Sequence, residues 1–489
     1  MKLGFDNERY VKEQTEKILN RIALTPGNKL YLEFGGKLLD DGHAARVLPG
    51  FDPQVKIKIL ETLKNDAEVI IAISANDLER NKIRSDSLVD YGTDTLRLIE
   101  FFKSRKIDVN SVVITQYANQ MSADIYKRKL ERRNIKVYIH TKTKGYPTDI
   151  ETIISDEGYG QNPYIKTTKK LVVVTAPGPG SGKLATCLCQ LYHEFKNGSK
   201  AGYAKYETFP VWNLPLKHPV NIAYEAATAD LKDVNMIDIF HLEAYGEKTV
   251  NYNRDIEVFP VVKSIISKIM GEEIYKSPTD MGVNMIAHAI VDDELCSNMA
   301  KKEVLRRYFK AQCDYVQGLN DKSTQEKIEY LMSELNISVL DRPVVMISKE
   351  KSEKEKTTVI AIELEDGKII TGKEGSLLSA ASAMLLNAIK YLAKIDDEVE
   401  LISSSILKPI LKMKKDCLKE DKVLTLEETL VALSISATGN TQVKKALDKV
   451  GELSKCDAHA SSMINKSDDI IMHKMNIYLT TEPIMATYY

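Results

Sequence analysis

Short runs of β-branched and aliphatic residues alternate with helix-length segments through the N-terminal part of the chain. The runs are KLYLEF (29–34), AEVIIAIS (67–74), SVVITQY (111–117), KVYIHT (136–141) and KLVVVT (170–175). Between them, segments 54–65, 93–104 and 121–134 place apolar residues at helical spacing, and an amphipathic stretch at 8–24 precedes the first run. Such alternation predicts βαβ units, hence a parallel sheet with helices on both faces. Ligands of these sheets bind at the carboxyl ends of the strands. The polar residues that follow each run are therefore the ones to collect: the 35–46 loop, Asn76 and Asp77, Gln116 and Asn119, and the turn 176–183. Strand order is not readable from sequence.

That last turn reads Ala176-Pro177-Gly178-Pro179-Gly180-Ser181-Gly182-Lys183 and opens a helix-patterned segment. A strand, a glycine-rich turn and a helix N-terminus converge backbone N–H groups and the positive end of a helix dipole on one point, which favours an anion. The phosphate-binding residues predicted here are Gly178, Gly180, Ser181, Gly182 and Lys183. The pattern misses the Walker form G-x-x-x-x-G-K-[ST] twice: Pro177 stands where glycine is expected, and Leu184 where a magnesium-binding hydroxyl belongs. Pro177 and Pro179 also remove two N–H donors. Thr186 or a remote aspartate is then the substitute magnesium ligand to test.

The 35–46 loop, Gly35-Gly36-Lys37-Leu38-Leu39-Asp40-Asp41-Gly42-His43-Ala44-Ala45-Arg46, concentrates chemistry just past a strand. Asp40, Asp41 and His43 are the predicted catalytic residues, for metal binding or proton transfer, and Lys37 and Arg46 the cations that add phosphate affinity. The bland alternative is a solvated loop with surface ion pairs. Elsewhere, Cys187 and Cys189 point apart on a helix, which removes them as a shared metal site. His193-Glu194 begins H-E-x-x-H, but Asn197 ends it. Cys456-Asp457-Ala458-His459 is a polar cluster that a hydrolase would use as a Cys–His pair, if the two side chains met.

At 489 residues, with 43% apolar and 28% charged residues, the chain needs more than one core. Its net charge of −1 gives no general pull toward nucleic acid or membrane. No apolar run reaches membrane-helix length and no signal peptide is evident, so a cytoplasmic protein is expected. Three domains are predicted: an N-terminal α/β domain, Rossmann-like or P-loop-like (1–225), a mainly helical middle (226–335) and a C-terminal α/β or α+β domain (336–489). Residues 203–213 read as an ordered loop. Helices are expected over 257–270, 300–317, 325–335, 376–394, 403–415, 425–436 and 441–453. Strands are expected at 344–349, 357–364 and 476–481, with a mobile charged loop at 349–356.

Six stretches between residues 32 and about 462 carry a resemblance. They are LEFGGKLLDDGHAARVLPGFDP, VVVTAPGPGSGKLATCL, VNYNRDIEVFP, SPTDMGVNMI, ELEDGKIITGKEGSLLSAASAMLLNAIK and CDAHASS. Together they resemble the bacterial domain-of-unknown-function family eighteen-forty-six. The resemblance implies an N-terminal α/β domain, a helical middle and a C-terminal α/β subdomain. Some members bear the label ATP-dependent zinc protease, which the interrupted H-E-x-x-H does not match. No catalytic residue carries over.

The expected function is binding of a phosphorylated small molecule, ATP or another nucleotide with magnesium among the candidates, and transfer of a phosphoryl or nucleotidyl group. The metal itself is left open. Nucleic acid and membrane are not expected partners; a second copy of the chain is. The competing expectations are a phosphometabolite-binding or scaffolding protein without turnover, and a hydrolase using Cys456 and His459.

Overall fold

The computed structural model describes residues 3–36, 38–83, 89–419 and 423–485; Lys37 lies outside them. The chain forms two compact units, Met1–Ala300 and Lys301–Tyr489.

In the first unit the predicted strands form β1 (Leu30–Phe34), β2 (Ala67–Ser74), β3 (Asp108–Tyr117), β4 (Val137–Thr141) and β5 (Leu171–Thr175). A further strand, β6 (Gly202–Tyr206), takes up the start of the stretch expected to be a loop. Its sequence GYAKY hides it, because a lysine in a buried strand reads as exposed until its partners are known. A two-stranded ribbon of β7 (Asn235–Ile237) and β8 (Val250–Tyr252) and a short β9 (Gly282–Val283) complete the unit. The main sheet is parallel throughout, in the order β4-β3-β2-β5-β1-β6-β9.

Every residue of β1, β2 and β5 is buried, as expected for parallel strands covered on both faces. Helix Lys183–Lys196 packs on β1, β5 and β6. Its Leu188 and Leu191 share a core with Tyr31, Val172, Val174 and Phe259 and Ile265 of helix Asn253–Met270. Each such buried leucine contributes roughly 1.5–3 kcal/mol. Helix Tyr91–Ser104 packs on β2 and β3, on the opposite face, because right-handed crossovers that run in opposite directions must use opposite faces.

The order of the central strands defines a switch point. The connection leaving β1 runs past β5 to β2, whereas the connection leaving β5 runs past β1 to β6. Neighbours whose exits diverge in this way make a topological switch point, where the loops part and leave a cleft. The two glycine-rich exits, Gly35–Gly36 after β1 and 176–182 after β5, leave from this pair of neighbouring strands.

The second unit holds a mixed sheet of β10 (Val359–Glu363), β11 (Ile369–Lys373), β12 (Asp457–Ala460) and β13 (Tyr478–Thr481), in the order β11-β10-β12-β13. Only β12 and β13 pair in parallel. Helix Ala380–Ala393 lies so close to β11 that a Cβ on Gly372 would stand 1.9 Å from the Met384 backbone nitrogen. Its alanine- and serine-rich face, with Ala380, Ala381, Ser382 and Ala388 buried, is what permits the approach.

One expectation fails here. The strand at 344–349 and the mobile loop after it are a single helix, Pro343–Glu355. A short apolar run does not fix its own period. Pro343 at the first helical position and burial of Val344, Val345 and Ser348 reveal a helical face.

Candidate functional site

Helix Lys183–Lys196 starts from Gly182, which sits at φ +85° and provides no side-chain cap. The N–H groups of Lys183, Leu184 and Ala185 have no partner within the helix, and among the described residues none accepts from them, whereas Thr186 N already donates to Gly182 O at 3.0 Å. Gly182 must be glycine: a Cβ would lie 2.9 Å from Thr115 Oγ1 in a left-handed backbone. The turn is held from within and from the side. Ser181, fully buried, donates its hydroxyl to Gly178 O at 2.9 Å. Thr115 Oγ1 donates to Ser181 O at 2.7 Å, and Gln116 Nε2 to Gly180 O at 3.2 Å. The hydroxyl and the carbonyl of Ser181 are thus both engaged within the fold, Lys183 stands half-buried at the helix start, and Tyr91 packs directly on Gly178.

The residues present do not fit magnesium at the Walker position. Leu184 has no hydroxyl, and the Thr186 hydroxyl, buried, donates back to Gly182 O at 2.9 Å. Among the described residues, no group of three or more His, Cys, Asp or Glu side chains is placed to hold a metal ion.

Across the crevice, Asp41 caps helix Gly42–Val47 by accepting from Ala44 N at 3.2 Å. Its other oxygen meets Lys56 Nζ at 3.3 Å. Lys56 was not legible as a site residue. It sits in helix Val55–Leu63 at 1% exposure, donates to Gly35 O at 3.2 Å, and braces the glycine turn after β1 from below. Burial lowers its pKa, helped by the charge of Lys183 and opposed by Asp41 and Glu207. Lys56 thus feels charges on three loops at once.

Asp40 is exposed at φ +52° and accepts from Gln54 at 3.4 Å, facing away from that buried pair. The His43 ring meets the edges of Phe209 at 5.2 Å and Tyr224 at 5.5 Å between centroids. Arg46 lies on the same short helix, half-buried.

The exit of β6 supplies chemistry that the sequence reading missed. Lys205 Nζ lies 2.6 Å from Glu207 Oε1 and 2.5 Å from Asp255 Oδ2. Glu33, which stands in register with Lys205, accepts from Tyr203 Oη at 2.9 Å. Burial acts to lower Lys205, and Asp255, Glu207 and Glu33 more than reverse it, so its ammonium is retained. The Glu207 carboxyl is raised, by burial first and by Asp255 and Glu33, against the pull of Lys205. A buried carboxyl of raised pKa at a strand exit is suited to proton transfer. The available signal was Lys205 and Glu207 two residues apart, on one face of a strand.

On the other flank, the exits of β2 and β3 are joined. Gln116 Oε1 accepts from Asn76 Nδ2 at 3.0 Å, and Asn76 Oδ1 from Gln120 Nε2 at 2.9 Å. Asp77 pairs with Lys82 at 3.4 Å, and Asn119 is exposed.

The Cys–His pair does not form. Cys456 faces the apolar core of the second unit with Ala458 and Ala460, so His459 projects from the opposite face of β12. There it bonds Thr480 at 2.8 Å and lies against Phe309. Burial and neighbouring carboxylates push the Cys456 thiol up to about 11, away from the thiolate a nucleophile needs.

The fold and site define a doubly wound α/β protein with a capless, glycine-rich helix start at its topological switch point. Residues 3–336 match the family described as "Domain of unknown function DUF1846, N-terminal", and residues 340–488 match "Domain of unknown function DUF1846, C-terminal". The chain belongs to this family. It is 55% identical over 493 residues to a UPF0371 protein of Clostridium botulinum (strain Alaska E43 / Type E3), covering 99% of this chain and 98% of the relative. It has the same identity and coverage with a UPF0371 protein of Clostridium tetani (strain Massachusetts / E88). No described helix is long and apolar enough to cross a membrane.

Proposed function

We propose that the chain binds a phosphorylated small molecule, nucleotides included, in the crevice between β5 and β1 and transfers a phosphoryl or nucleotidyl group from it. The observation that carries this reading is the switch point itself. It sets an uncapped helix start with Lys183 across from a glycine turn braced by Lys56. In this reading the N–H groups of Gly180, Ser181, Gly182 and Lys183 hold phosphate oxygens, and Lys183 adds a point charge. Lys56, kept in place by Asp41, deepens the positive potential. Glu207 takes the proton from the attacking hydroxyl as its oxygen bonds to phosphorus and the leaving oxygen departs. His43 and Arg46 line the wall formed by the 35–46 loop. A cytoplasmic setting agrees with the six free thiols.

The test is a thermal-shift panel of ATP, GTP and common phosphometabolites on the wild type and Lys183→Ala. Stabilisation of the wild type alone is expected; stabilisation of neither, or of both equally, sinks the proposal. A second reading, binding without turnover, draws on Leu184 and the internally bonded Thr186, which leave the magnesium position of a phosphotransferase unfurnished. A ligand that binds and yields no product over hours decides for it.

A further inference from the structure

We infer that the end of β3, and Gln116 above all, sets the peptide planes of the anion turn and so aims its N–H groups at the ligand. This rests on the phosphate reading of Gly180–Lys183. In a trans peptide the C=O and N–H of one unit point in opposite directions. A donor that grips Gly180 O therefore turns the N–H of Ser181 away from itself, and one that grips Ser181 O does the same for the N–H of Gly182. Gln116 makes the first contact, at 3.2 Å, and Thr115 the second, at 2.7 Å. Two successive donors of the nest are thus aimed by two successive residues at the end of β3, the second strand from β5 in the sheet.

Three further observations mark Gln116 as built for this. It sits at φ +53°, a region that a glutamine seldom enters without a compensating constraint. The pairing of β3 with β4 shifts register between Ile114 and Tyr117, so the strand is irregular where the side chain must swing toward β5. Its amide is also fixed in one sense. The oxygen accepts from Asn76 at 3.0 Å and from Ser74 at 3.4 Å, which leaves only the NH₂ for the Gly180 carbonyl. Asn76 is held in turn by Gln120 at 2.9 Å. Gln116 is a positioning residue, acting on the ligand through the turn.

The test exploits opposite signs. Gln116→Gly relieves the left-handed backbone and removes the grip, and Gln116→Asn tolerates the same backbone but is one methylene short. Binding of inorganic phosphate and of ATP is measured by calorimetry on the wild type and both variants, beside their unfolding midpoints. The expected result is affinity weakened about 3- to 10-fold, the worth of one hydrogen bond, with the Gln116→Gly midpoint unchanged or higher. Affinity within two-fold of wild type in both variants overturns the inference alone. A parallel fall of affinity and midpoint overturns it too, since Gln116 would then be a merely structural residue. A wild type that binds neither probe removes the phosphate reading, and this inference with it.

Discussion

Replacing Lys205 by methionine removes the ammonium that pairs directly with Glu207 and Asp255. Two ion pairs at 2.6 and 2.5 Å disappear, and Glu33, Glu207 and Asp255 remain close together with Tyr203 as a neutral donor to Glu33. Breaking a buried pair from one side costs about 3–5 kcal/mol, because the stranded charge keeps its desolvation penalty. The methionine stem recovers only apolar packing. The loss also has a pH signature. Glu207 already has a raised folded pKa, and Lys205 is the group that holds it down, so the variant raises it further. A carboxyl raised on folding contributes stability that is full below its unfolded pKa, near 4.3, and is lost as pH rises through the folded value. The cost of Lys205→Met is therefore expected to be largest at pH 8 and to shrink by about 1 kcal/mol or more at pH 5.5, where Glu207 takes up a proton. Urea unfolding followed by the fluorescence of Trp212, the single tryptophan and a buried residue of the same unit, measures both. A loss below about 1 kcal/mol at pH 8, or one equal at the two pH values, refutes the reasoning.

Two further outcomes concern the second unit. Gly372→Ala puts a Cβ 1.9 Å from Met384 N, so helix Ala380–Ala393 must move off β11; a loss of about 2–4 kcal/mol in the denaturation of residues 301–489 is expected, against little change at the Trp212 signal. Asp457 resists burial because Arg342, Arg306 and Lys302 hold its carboxyl down at about 2, so it stabilises the fold above the unfolded pKa near 3.9 and ceases to as pH falls toward 2. Asp457→Asn should remove roughly 2 kcal/mol at pH 7, a difference that narrows in acid and is followed by circular dichroism across an acid titration.

The parallel sheet was legible because β2 and β5 are apolar along most of their length, Glu68, Ser74 and Thr175 being their only polar residues, and a strand buried on both faces reads as a near-continuous apolar run. β6 was not, because half-buried Lys205 depends on Asp255 as well as on nearby Glu207, and a partner 50 residues away leaves no local trace. The glycine turn was visible as punctuation. Its partners across the crevice were not: Lys56 looks like one more helix lysine until the fold turns it beneath Gly35. Asp41 was found by position, but its role is to cap a helix and hold Lys56, while its neighbour Asp40 faces outward. The helix at 343–355 was misread because VVMIS satisfies both periods, and only packing chooses between them.

The strand order has a consequence for how the protein is made. β1 pairs with β5 and β6 and with no strand in between, so its two edges stay open while residues 35–170 are synthesised. At roughly 5–20 residues per second that interval is on the order of 7–30 s. Once β2 is made, β1 and β2, both fully buried in the finished sheet, still lack the strand that will separate them. An N-terminal fragment that stops short of β5 has one wall of the crevice and none of the other. The arrangement that sets β1 and β2 in one sheet is complete only when Leu171–Thr175 pairs with both of them.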